Sequence, residues 1–164
     1  MSDPLSIYLN DHLAGSAGGV ELARRLRSNN ADDPVFGPPT AALCEEIEAD
    51  RETLEDAMER LGVSRDRLKP AGAWLGEKLG RFKFNGQLTG YAPLSRMVEL
   101  ELLYLGLTGQ IRLWRALEHS LGARDDELDF AAMAEQASGQ RERVEQLHLS
   151  AAELAFSAAP AESR

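Results

Sequence analysis

Four long stretches of this chain carry apolar residues at helical spacing, and between the second and third the segment Val63 to Ala92 breaks the pattern. Stretches that each bury one stripe must pack around a shared core. Local signals bound all four. Asp3-Pro4 opens the first, which should stop by Asn29-Asn30, and Pro38-Pro39-Thr40 and Gly62 bracket the second. Pro93 opens the third, which runs to Leu121 or Gly122, and the fourth extends from Asp129 to Phe156. Proline in a first turn forfeits no amide hydrogen bond, and glycine suits a C-terminal stop.

The stripes differ in character. Leu5, Leu9, His12, Ser16, Gly19, Ala23 and Leu26 share one face of the first helix, with His12 near its middle. The second helix offers Leu43, Ile47, Leu54, Met58 and Leu61, with Asp50 and Arg51 flanking the gap between Ile47 and Leu54. Glu45, Glu48, Glu52, Glu55 and Glu59 form a solvated face. The third helix has two apolar faces: Met97, Leu100, Tyr104, Leu107, Ile111 and Trp114 on one, Val98, Leu102, Leu105, Gly109 and Leu113 on the other. The fourth has a seam of small residues, Met133, Ala137, Val144, His148, Ala151 and Ala155.

Leu and Ala dominate while the β-branched residues that strands favour are scarce, so the class is all-α. A chain of 164 residues makes one domain, assigned to 1–156, with a frayed tail over 157–164. The net charge of -9 argues against general nucleic-acid binding, which needs clustered Lys and Arg. No apolar run reaches the roughly 18 residues of a membrane span, and Met1 to Asn10 does not read as a leader, so the expectation is a soluble cytoplasmic protein. The single cysteine, Cys44, lies on an apolar face and reads as a small buried hydrophobe.

The interrupting segment contains a shorter helix, Pro70 to Phe84, with Trp74, Leu75, Leu79 and Phe82 to bury and glycines at 72, 76 and 80 that clear one face. It is also a basic island, with Lys78, Arg81 and Lys83 near Arg65, Arg67 and Lys69. Membrane association through this island is the weaker reading, because its aromatic residues are needed to pack it on the bundle. Two helices, an excursion and two more helices match a four-helix bundle with one long crossover carrying an extra short helix. In that topology each sequential pair is antiparallel, and the second and third helices run the same way. Counting inward from the turns places Asp50, Glu101, Glu145 and His148 near one level, opposite Gly15 to Gly19.

Glu145-Gln-Leu-His148 is a Glu-x-x-His pair, the arrangement that builds carboxylate-bridged metal sites inside bundles, and it occurs once. With the helix at Leu43 to Gly62 and the start of the third helix at Val98-Glu99-Leu100-Glu101, it makes the chain resemble the ferritin-like superfamily, in particular its small stress-associated bundles. The resemblance implies iron or manganese held by Asp50, Glu101, Glu145 and His148, with His12 or Glu46 assisting. Departures from the pattern are equally visible. Glu46 is followed by Ala49 where the family motif has His, and Glu21 faces away from the stripe of the first helix. Arg51 and Arg141 border the inner faces, so ion pairs of Asp50 with Arg51, and of Glu101 or Glu145 with Arg141, are expected in place of metal bonds.

The sequence therefore favours a non-enzymatic, ferritin-like bundle with a structural or protein-interaction role and no cofactor. A metal-binding or di-iron carboxylate oxidoreductase is the alternative. His12 reads first as a satisfied core histidine and His119 as a cap on helix carbonyls. The second apolar face of the third helix calls for a cover, supplied by a homodimer partner or by the crossover helix.

Overall fold

The computed structural model describes residues 3–66, 91–122 and 127–157, which form four α-helices: α1 (Pro4–Asn29), α2 (Gly37–Arg60), α3 (Pro93–Leu121) and α4 (Phe130–Ser157). Both ends of each of the four helices foreseen from the sequence fall within a residue or two of the observed bounds. α1, α2 and α3 have proline in their first turn. Gly62 ends α2 with φ of 68°, and its N–H bonds the Glu59 carbonyl while the Val63 N–H reaches back to that of Met58. These two bonds complete a Schellman motif, and Val63 seals it by packing in the same apolar cluster as Met58. The short helix expected at Pro70 to Phe84 lies outside the described residues, as does most of the expected tail.

The directions of the helices follow from which ends share a core. Leu9 and Leu13 near the start of α1 pack with Leu54 and Met58 near the end of α2, with Trp114 and Leu117 late in α3, and with Phe130 early in α4. At the other end, Leu22 and Leu26 of α1 meet Leu43 and Ile47 of α2, Leu100 and Leu103 of α3, and Val144 of α4. Hence α1 and α2 are antiparallel, α3 and α4 are antiparallel, and α2 and α3 run in the same direction. The 24 residues of α2 span about 36 Å at about 1.5 Å each, and α3 begins at the opposite end of the bundle from where α2 stops. Among the described residues no helix is long and apolar enough to cross a membrane.

Polar side chains fasten the ends. Asn10, 6% exposed, donates to the carbonyls of Ser6 and Ser64 and accepts from the Asp66 N–H at 2.6 Å, tying the chain beyond α2 onto α1. At the other end Asn30 is fully buried, donating to the Leu26 carbonyl and accepting from Arg96 Nε at 2.6 Å. Arg96 also bonds Asp33 and lies 4.1 Å above the Phe36 ring, so one guanidinium joins the α1–α2 turn to the start of α3. Gly37 is required there, because a Cβ would fall 2.8 Å from the Asn30 carbonyl oxygen.

Among the described residues a buried carboxylate is paired at Glu99, a place the sequence did not point to. Glu99, 1% exposed, accepts a 2.5 Å hydrogen bond from the Tyr91 hydroxyl, and its other oxygen lies 2.6 Å from Arg25 Nε. That second contact is short but poorly aligned, a charge contact without a proper hydrogen bond. Burial pushes the Glu99 carboxyl up, against the pull of Tyr91 and Arg25, and pushes the Tyr91 hydroxyl up as well.

Candidate functional site

The two apolar clusters do not merge into one core. Between them α2 contributes Asp50, α3 Gln110 and α4 Gln136 and Gln140, a polar layer halfway along the bundle. Asp50 is 7% exposed, and its Oδ1 accepts a 2.7 Å hydrogen bond from Gln136 Nε2. Oδ2 is buried and has no hydrogen-bond partner among the described residues, and the same holds for both amide atoms of the fully buried Gln140. Burial raises the Asp50 pKa, while the nearby Gln140, Gln110 and Gln136 amides pull it back. A carboxylate left this short of partners in a low-dielectric layer is costly, and such sites are over-represented where a protein binds something.

Beside this layer a cavity of about 530 Å³ opens between α1 and α3. Its size comes from small residues. Gly15, Ser16 and Gly19 line it from α1 and Gly106 from α3, and a Cβ added at any of these three glycines would meet no atom within 4 Å. The walls are apolar, built from Ile47 and Leu54 of α2 and Leu102, Leu113 and Trp114 of α3, with Asp50 and Gln110 as polar groups among them. Tyr8 and Leu105, 37% and 57% exposed, flank it on the solvent side. A mostly apolar cavity with a few polar groups, in the size range of small-molecule sites, is the usual anatomy of a binding pocket.

His12, the middle of the first stripe, lines the cavity, half-buried, with its ring edge-on to Tyr8 at 4.7 Å. Burial pushes its pKa down, partly offset by Asp11. Arg51 also borders the cavity, but its guanidinium is occupied: Nη1 donates to the Leu13 carbonyl at 2.9 Å and to Ser16 Oγ at 2.8 Å, and Nη2 lies 3.2 Å from Glu55. The expected pair of Asp50 with Arg51 is therefore corrected. Consecutive residues on a helix point about 100° apart, so one enters the core layer while the other turns to α1.

The proposed metal ligands are not gathered. Among the described residues no three His, Cys, Asp or Glu side chains stand together as a metal site. Glu101 and Glu145 are exposed, Asp50 faces the glutamines, and His148 is half-buried with Nε2 unpartnered. Glu46 is claimed by Arg143, which grips both its oxygens and lowers its pKa. Arg141 lies 5.5 Å from the Tyr104 ring centre, and no ion pair joins it to Glu101 or Glu145 among the described residues. Cys44 is buried as expected, and burial raises its pKa.

The sequence did hold a signal for the polar layer. On α4 the seam passes from Ala137 to Val144 across a position that helical spacing assigns to Gln140, and on α2 Asp50 fills the corresponding gap between Ile47 and Leu54. Read together, two polar residues in two seams mark the level at which the core divides. No family model, curated protein or solved structure matches this chain.

Proposed function

We propose that the chain is a non-catalytic, ferritin-like four-helix bundle of the cytoplasm that works by binding, with the cavity between α1 and α3 as its ligand site. The observation that carries this reading is a largely apolar cleft of about 530 Å³, open to solvent beside the exposed Gly15 and Gly106. A concave, mostly apolar surface of this size with a few polar groups is the usual form of a small-molecule site. The ferritin-like part of the reading is supported by the helix directions, and the choice of binding over di-iron chemistry by the scatter of Glu101, Glu145 and His148. A homodimer belongs to the same proposal, with a second copy laid over the Leu105 side of α3.

Filling the cavity tests it. Gly15→Ala and Gly106→Ala should each raise stability by about 0.5–1 kcal/mol, since alanine is the better helix former and its Cβ meets no obstacle. Gly106→Leu should abolish binding of a small apolar probe, n-octanol, followed by titration calorimetry and by the fluorescence of Trp114 in the cavity wall. Equal octanol binding by the wild-type protein and Gly106→Leu would place the site elsewhere.

A further inference from the structure

The cavity is apolar on most of its wall, yet one acceptor is buried in that wall without a donor. Asp50 Oδ2 has no partner among the described residues, whereas Oδ1 is held by Gln136. We propose that the cavity takes an apolar molecule bearing a primary ammonium group, with the Asp50 carboxylate as the acceptor for its N–H. The inference rests on the cavity being the binding site and adds the chemistry of the ligand. An ammonium has donors to offer and no acceptor to satisfy, which suits a carboxylate set among apolar walls.

The other polar groups at the cavity fit this assignment. Among the described residues Arg51 is the one Lys or Arg side chain lining it, and its bonds to Leu13, Ser16 and Glu55 hold it against α1 and its own helix. It is thus not the obvious seat for an acid. Gln110, also lining the cavity, has an amide oxygen with which to accept a second ammonium N–H. His12, held towards its neutral form by burial, adds little positive charge near the mouth, and Asp11 beside it contributes negative charge. Burial raises the Asp50 pKa, and among the described residues only neutral amides oppose that rise, so a cation beside it would be stabilised.

Three probes with one tail separate the possibilities: n-octylamine, n-octanol and octanoate, titrated calorimetrically into the full-length protein at neutral pH. The amine is then protonated, as a lysine side chain would be. The expected order is amine, alcohol, acid, with the amine about tenfold tighter than the alcohol, the scale of one charge-assisted hydrogen bond. Asp50→Asn keeps the shape and the acceptor for Gln136, and should bring amine and alcohol within about threefold of each other while octanol affinity holds. Glu52→Gln, which removes an exposed charge of α2 away from the cavity, should leave the preference intact. Octanoate binding as tightly as the amine in the wild-type protein would overturn the assignment without recourse to a variant. So would an amine preference that survives Asp50→Asn, or one lost equally in Glu52→Gln. If none of the three probes binds, the cavity reading itself fails, an outcome distinct from binding of all three without preference.

Discussion

Trp114→Ala should cost about 3–5 kcal/mol of unfolding free energy, the usual loss for a fully buried large aromatic. Trp114 is 1% exposed, stacks on Phe130 with ring centres 6.1 Å apart, and belongs to the apolar cluster that joins the start of α1 to the ends of α2 and α3. Its other side lines the cavity, so truncation joins new empty volume to old and gives the surrounding side chains little to collapse onto. Urea unfolding followed by circular dichroism measures the loss. A cost under about 1 kcal/mol would mean that the neighbours close over the gap, which the geometry does not allow for.

Glu99→Ala should be nearly as damaging, at about 3 kcal/mol, because it strands two partners. The Tyr91 hydroxyl loses its acceptor, and Arg25 loses the carboxylate 2.6 Å away. Glu99→Gln should be much milder, since its amide oxygen still accepts from Tyr91 and no charge has to be buried. The pH dependence discriminates between the two explanations. Burial holds the Glu99 pKa above its unfolded value, so its favourable contribution is complete below the unfolded pKa and is lost as pH rises through the folded one. The difference between wild type and Glu99→Gln should therefore move in favour of wild type as pH falls from neutral through the carboxylate range. The charged group facing Glu99 from α1 is Arg25, and the titratable hydroxyl before α3 is that of Tyr91, pushed still further from the neutral range. That hydroxyl keeps its proton across this range, so the comparison reads the carboxyl. Melting temperatures of the two proteins from pH 7 to pH 4 supply the measurement, and a difference independent of pH would contradict the assigned shift.

The polar layer at Asp50 and the pair at Glu99 share a physical logic. Each places a carboxyl where burial raises its pKa, but Glu99 has a cation and a hydroxyl facing it while Asp50 has, among the described residues, neutral glutamines and the like charge of Glu46. The first arrangement knits α1 to α3 and reads as structural. The second leaves an acceptor unfilled beside a cavity, and natural proteins keep such destabilising features where binding requires them.

Much of the fold was determined by the sequence alone. Proline in first turns, Gly62 at φ of 68° and Asn30 at the end of α1 act within a few residues, so the four helices and their ends were readable from local chemistry. The long interruption after α2 likewise announced that α2 and α3 would run the same way. Which side chains meet across the bundle was decided by tertiary packing. A helix stripe about 100° wide does not say which member points at which neighbour, and a shift of one residue turns a side chain by about 100°. That margin is enough to send Arg51 to α1 while Asp50 enters the core, and to leave Glu101 and Glu145 exposed although all four helices are where the sequence put them. The cavity was decided at the same level, because glycines at 15, 19 and 106 mark small volume wherever they fall, and only the separation of α1 from α3 makes that volume a shared space.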